Sequence, residues 1–302
     1  MALPMSQSAG VTLIQRRLLR WYQRNGRATL PWRAERSPYR TVVSEAMLAQ
    51  TQVERVIPKF ESFVQRFGDF EALARASPGD VLRAWQGLGY NARALRLRQL
   101  AKAVVENHGG VLPSDGEALL ALPGIGPYSA AAIRAFGFDL DDAPVDTNVA
   151  RVVSRLILGS EHRSGSPSTT VQRHARQLVP RGRAHDWNSG LMDLGATVCT
   201  ARAPKCLICP LNAHCVAAPV AAAREPRERQ GVPFTQTARY ARGRIVDRLR
   251  ALPAGSRISL LDLHGDLKPV LRRSLAEVRA FVDGLERDGL LTCNGETVAL
   301  PE

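Results

Sequence analysis

Apolar residues return every three or four positions over most of the first two-thirds of the chain. Ile14, Leu18 and Trp21 follow i, i+4, i+7 spacing, one stripe of an amphipathic helix that stops before Asn25-Gly26. Segments of the same kind cover about 39–67, 78–86, 91–107, 115–121, 128–138, 147–158 and 168–178. Gly68-Asp69, Ser77-Pro78-Gly79, Gly109-Gly110 and Ser164-Gly165-Ser166-Pro167 punctuate them as turns. Alternating strand patterns of useful length are missing, so residues 1–215 read as all-α. Residues 216–233 are rich in Ala, Pro and Arg without apolar periodicity and read as a linker. The pattern then changes. Helices are expected over 239–252, 259–265 and 274–288, the last capped by Ser274 and ended by Gly289. Asn294-Gly295 between two β-prone runs predicts a hairpin. Three helices and a hairpin make residues 234–302 a small winged-helix-like α+β domain.

Composition narrows the class. The 302 residues are 45% hydrophobic and 23% charged, as expected of a globular chain long enough for real cores. Apolar runs stay short of the roughly 18 residues that a membrane span needs, so no membrane role is expected. The start, MALPMSQSAG, has no basic-then-apolar export pattern, which predicts a cytoplasmic, nucleoid-associated protein. The net charge of +13 attracts a polyanion, and nucleic acid is the first candidate. Residues 1–215 hold 27 basic and 17 acidic residues against 14 and 11 in 216–302, so the attraction resides mostly in the first part.

Four of the five cysteines, Cys199, Cys206, Cys209 and Cys215, have the spacing C-x6-C-x2-C-x5-C. Such a loop can ligate a tetrahedral zinc or a four-iron cubane. Zinc sites more often use two C-x2-C pairs, and a single pair favours [4Fe–4S], with zinc as the alternative. Cys293 lies apart, in the expected wing.

The stretch LPGIGPYSA (122–130) sets two glycines and two prolines between helical segments. Gly124 and Gly126 open backbone angles closed to other residues and let a foreign backbone come near. With Ile125, their N–H groups at the start of the next helix form an anion nest suited to a DNA phosphate. This is a helix-hairpin-helix. Glu45 lies in an otherwise apolar helical stretch with Val42, Val43, Met47 and Leu48, where desolvation raises a carboxyl pKa and suits a general acid. Asp146 opens the helix DTNVARV as an N-cap residue.

LPGIGPYSAAAI, VDTNVARV (145–152) and the four-cysteine loop together resemble the helix-hairpin-helix DNA glycosylases that carry an iron–sulfur loop. LPWR (30–33), SEAMLAQTQVERV (44–56) and WQGLGY (85–90) are similar to the MutY-like adenine glycosylases within that superfamily, over about residues 12–215. The resemblance implies base excision repair through cleavage of the N-glycosidic bond of adenine mispaired with 8-oxoguanine or guanine. It implies that Glu45 protonates the adenine, that Asp146 stabilises the sugar cation and that Asn148 supports Asp146. Tyr128 takes the slot where endonuclease III enzymes carry a Schiff-base lysine, which implies a monofunctional enzyme. Trp32, Arg33 and Leu48 match positions lining the adenine pocket, and Gln50 and Tyr90 match residues that push into the duplex. The implied partner is double-stranded DNA containing a mispair, bound by a monomer.

The pattern also departs from the family. Ala49 and Asn91 replace a Gln and a Tyr frequent there, and Ser189 stands where a Gln or Glu often reads the adenine edge. Residues 234–302 are too short for the Nudix-like domain usual after the catalytic part. Two rivals stay open: a mismatch thymine or uracil glycosylase on the same scaffold, and a non-catalytic iron–sulfur DNA-binding regulator.

Overall fold

The computed structural model describes residues 5–161, 165–218 and 232–302. Most of the expected linker lies outside the described residues. The described residues pack as two compact units: residues 5–42, 113–121, 125–161 and 165–218 form one, and 43–112, 122–124 and 232–302 the other.

The chain opens with α1 (Met5–Asn25), α2 (Pro31–Ala34) and α3 (Pro38–Leu48), followed by α4 (Val53–Arg66). The single helical segment expected over 39–67 is therefore broken. Gln50 sits at φ 59°, a left-handed angle that no continuous helix contains. Next come α5 (Phe70–Arg75), α6 (Pro78–Ala84) and α7 (Ala92–His108), with Asp69 and Ser77 capping α5 and α6. In this second unit Phe60, Phe63, Leu73, Leu82, Trp85 and Leu97 are buried, and Phe63 meets Phe67 and Trp85 edge-on at 4.9 and 6.0 Å.

The helix-hairpin-helix is α8 (Gly116–Leu120) and α9 (Pro127–Ala132), and α9 runs into a π turn over Ile133–Gly137. Then come α10 (Thr147–Val153) with a π turn over Ser154–Leu158, α11 (Thr169–Leu178) and α12 (Ala184–Thr197). The first unit's core joins Ile14 and Leu18 to Val149, Val153, Leu191 and Leu194, and Cys199, Cys209 and Cys215 pack against it. Gly195 lets α10 and α12 approach: a Cβ there would lie 2.8 Å from the Asn148 Cβ. Sequence periodicity left α5 and α12 unassigned. The stripe Trp187, Leu191, Leu194 was present in α12, but Gly190 and Gly195 interrupt it as a local signal.

The tail has α13 (Ala238–Arg250), β1 (Ile258–Ser259), α14 (Leu260–Leu271), α15 (Leu275–Arg287), β2 (Thr292–Asn294) and β3 (Thr297–Ala299). The strands form an antiparallel sheet in the order β1-β3-β2, with Ile258 opposite Val298 and Cys293 opposite the same residue on the other side. The winged-helix-like pattern is present. Strand β1 is two residues long, too short to leave a periodic trace, and exists through its pairing with β3. The expected helix 259–265 runs on to Leu271 through Pro269, because Leu260, Leu263, Leu267 and Leu271 are all buried along one face.

Candidate functional site

In the first unit the site is built around Asp146. As N-cap of α10 its Oδ1 accepts from the Val149 backbone N–H at 2.7 Å, and its Oδ2 accepts from the Asn148 side-chain amide at 3.0 Å. Both oxygens are thereby fixed in direction, with capping and carboxylate placement served by one residue. Asn148 is oriented in turn, because Arg151 donates to its Oδ1 at 2.7 Å. The same guanidinium donates to Gly195 O at 2.7 Å and to Cys199 O at 2.8 Å. A continuous chain of hydrogen bonds thus runs from Asp146 to the first cysteine of the loop. Burial lowers the Arg151 pKa, with the Cys199 sulfur opposing it. Tyr128 stands in the first turn of α9 and is partly exposed.

The four cysteines line one cavity together with Arg155, Val198 and Pro204. Arg155, itself buried, donates to the Cys199 Sγ at 3.4 Å and to Thr200 O at 2.8 Å, and pairs with Glu161 at 2.9 Å. Burial pushes the Cys209 thiol up to about 11, and Cys215 upward as well, so a bound cationic centre is what would bring these sulfurs to thiolate form. Among the described residues no three His, Cys, Asp or Glu side chains converge tightly enough for one metal ion. Four sulfurs around a shared cavity, one of them touched by a guanidinium donor, make a donor set that fits a four-iron cluster.

Arg33 and Ser189, both expected at the base pocket, are buried or nearly so in the first unit. Arg33 turns onto Asp193: its Nη1 donates to Oδ2 at 2.8 Å, and Arg27 binds Oδ1 through Nε at 2.9 Å and Nη2 at 2.6 Å. The backbone N–H of Arg27 completes the set at 2.9 Å. Arg33 thereby anchors α2, which also carries Trp32, to α12. Ser189 is 0% exposed in α12, and its hydroxyl has no partner among the described atoms.

In the second unit, Glu45 is half-buried on α3 beside buried Ser44 and Met47, and Leu48 closes the helix. Gln50 and Tyr90 are exposed, and both take left-handed backbone angles, φ 59° and 45°. A side chain in that region costs about 1–3 kcal/mol, a strain that persists only where neighbours enforce it. Arg93 is the enforcer. Its Nη1 donates to Ala46 O, Met47 O and Ala49 O at 2.7, 3.0 and 2.7 Å, and its Nη2 to Thr51 Oγ1, Leu88 O and Gly89 O at 3.1, 3.2 and 3.2 Å. One guanidinium therefore fastens the loop carrying Gln50 to the loop carrying Tyr90. Burial lowers the Arg93 pKa to about 10, against a raising influence from Tyr90, which leaves it charged at neutral pH. At the hairpin, Gly124 has φ 79°, and Gly126, the N-cap of α9, has open space where a Cβ would be.

Residues 43–181 match the HhH-GPD superfamily base excision DNA repair proteins, and residues 199–215 match the iron–sulfur binding domain of endonuclease III. An adenine DNA glycosylase of Mycobacterium tuberculosis is 43% identical over 242 residues, 78% of this chain and 77% of that relative. Another from Mycolicibacterium smegmatis is 38% identical and covers 92% of this chain and 95% of its own. The chain belongs to the adenine DNA glycosylase family. A solved structure of a thermostable thymine-DNA glycosylase superposes with TM-score 0.65 at 30% identity, covering 70% of this chain and 98% of that one. The endonuclease III type of cysteine loop makes the cofactor a [4Fe–4S] cluster, which the donor set fits.

Sequence reasoning singled out Asp146, Asn148 and the cysteines, and the fold joins them. It missed Arg93, Arg151, Arg155 and Asp193. In sequence each is an ordinary charged residue on a helix, and each acquires its role from carbonyls, amides or sulfurs contributed by other segments. Glu45 belongs to the second unit and Asp146 to the first.

Proposed function

We propose that this chain is a monofunctional glycosylase of base excision repair that removes adenine mispaired with 8-oxoguanine or guanine, acting as a nucleoid-associated monomer. The observation that carries this reading is Asp146, whose two oxygens are each oriented by a hydrogen bond, in a chain so similar to adenine DNA glycosylases. The base is everted, since its reacting atoms are out of reach within the stack. Gly124, Ile125 and Gly126 hold a backbone phosphate, while Gln50 and Tyr90 fill the vacated space and Trp32 and Leu48 receive the adenine. Glu45 gives its proton to adenine N7 as the C1′–N9 bond breaks, and the bonding pair leaves with the base. Asp146 faces the resulting sugar cation. Water then adds to C1′ and returns its proton to the Glu45 carboxylate. Tyr128 offers no amine for a Schiff base, so the strand stays intact. Cys199, Cys206, Cys209 and Cys215 hold the [4Fe–4S] cluster, which ties the loop to the core. The domains implied are 1–215 for catalysis and 234–302 for the tail.

The likeness to a thymine-DNA glycosylase supports a second reading, a pyrimidine-releasing enzyme. Duplexes with one mispair each (A opposite 8-oxoguanine, A opposite G, T opposite G, U opposite G) separate the two. Adenine release, with strand breakage only after alkali, is expected. Release of T or U but not A would sink the adenine reading, and breakage without alkali at the rate of base loss would sink the monofunctional one.

A further inference from the structure

Most basic residues of the tail are neutralised inside the tail. Arg248 pairs with Asp266 at 2.6 Å, Arg273 with Glu277 at 2.7 Å, Arg242 with Asp288 and Arg279 with Glu296. A winged helix whose arginines are so paired is a poor phosphate reader. Among the described residues Arg239, like Arg257, Arg272 and Arg287, has no carboxylate partner. Its Nη1 instead donates to the hydroxyl of Tyr90, and its guanidinium lies 5.1 Å from the centre of the Tyr90 ring and 4.9 Å from that of Phe234.

The segment that presents Arg239 is held firmly. Thr237 caps α13, accepting from the Tyr240 N–H at 3.2 Å and donating to Phe234 O at 2.6 Å. Phe234 meets Tyr240 edge-on at 5.5 Å. At the other end of α13, buried Arg250 donates to the side-chain oxygen of buried Asn91 at 2.8 Å. Asn91 is the residue next to Tyr90, and the place where this sequence departs from the Tyr frequent in its family. Both ends of one tail helix thus grip consecutive residues of the strained loop, on the element that carries the wedge.

We propose that the tail positions the duplex wedge: Arg239 holds the Tyr90 side chain in place, and the Arg250–Asn91 bond registers α13 against the Tyr90 loop. This rests on the reading of Tyr90 as a wedge in the proposed function. Arg239 is a positioning residue acting through Tyr90, and through it the tail contributes to DNA recognition. Removing the clamp lets the Tyr90 side chain swing freely. The ordering then has to occur on DNA, which slows eversion of the base and leaves bond cleavage itself unaltered.

The test uses the full chain loaded with its cluster. 2-Aminopurine in place of the adenine reports eversion by fluorescence, and single-turnover release of adenine opposite 8-oxoguanine reports catalysis. Arg239→Ala is expected to reduce both the eversion rate and the release rate by about tenfold, the scale of one lost hydrogen bond to a charged group. Thermal unfolding should match that of Arg248→Ala, which removes an ion pair confined to the tail. Arg239→Lys, which keeps a donor and a cation, should recover most of the loss. Tyr90→Phe should be impaired, and adding Arg239→Ala to it should cost less than in the wild type, as for residues that act through one contact. Rates within about twofold of wild type for Arg239→Ala, or full additivity with Tyr90→Phe, would overturn the proposal. If Arg239→Ala does not fold, Arg239→Gln, which removes the cation while keeping much of the side-chain length, takes its place in the same comparison with Tyr90→Phe. Failure of the wild type to release adenine would instead count against the proposed function, with the eversion signal still reading the clamp.

Discussion

Asp193→Ala removes a carboxylate that is 1% exposed and accepts four hydrogen bonds from Arg27 and Arg33. The two arginines are affected unequally. Arg27, at 35% side-chain exposure, can turn to water and contributes little to the loss. Arg33, at 9%, is left as a buried charge without its partner. Breaking a buried pair from one side costs about 3–5 kcal/mol. The pH dependence follows from the carboxyl itself. Burial pushes its pKa up, but Arg33 and Arg27 with their hydrogen bonds outweigh burial and hold it below the ordinary value. A depressed folded pKa gives stability that is fully present above the unfolded value of about 3.9 and fades as pH falls through the folded one. Urea unfolding at pH 7 should therefore show Asp193→Ala weaker by about 3–5 kcal/mol, with the gap narrowing only below about pH 4. Adding Arg33→Met should restore much of the loss, since no buried charge then remains unpaired. A loss under about 1 kcal/mol, or a double variant weaker than the single one, would refute the reasoning.

Other expectations concern the site directly. Glu45→Gln and Asp146→Asn should each abolish base release while gel-shift affinity for mispaired DNA persists; a fully active variant would remove that residue from the mechanism. Arg93→Ala frees the carbonyls that it spans, so it should destabilise by about 2–4 kcal/mol in urea and slow eversion. Arg93→Lys, with no planar fork, should rescue stability only in part. Arg151→Ala should lower adenine release by about tenfold or more, since the Asn148 amide loses the partner that orients it, and the change should appear in rate rather than DNA affinity. Cys209→Ser should reduce the iron content and the broad absorption near ~400 nm in anaerobically purified protein, and full iron retention would contradict its role as a ligand.

The readable parts of this protein were those in which neighbouring residues carry the signal. Stripes such as Ile14-Leu18-Trp21 mark helices because 3.6-residue periodicity is a local property. The four cysteines, the glycines of the hairpin and the Asp146 cap were visible for the same reason, each being a short motif whose chemistry depends on spacing. The sheet was half legible: Asn294-Gly295 announced the turn between β2 and β3, while β1, two residues long, exists only through its partner. Ser189 was read from its place in a motif, yet its accessibility depends on what packs over α12, which no local pattern records.

The sequence by itself determined the helical class, the four-cysteine loop, the hairpin and the carboxylates proposed for the chemistry. Tertiary structure alone decided which arginines matter. An arginine on a helix looks the same whether it faces water, spans two loops as Arg93 does, orients Asn148 as Arg151 does, or reaches from the tail to Tyr90 as Arg239 does. Some of its acceptors lie far along the chain, 44 residues for Arg151 with Gly195 and 149 for Arg239 with Tyr90. A guanidinium is long, rigid at its tip and rich in donors, so its role is set by whichever acceptors the fold brings within reach.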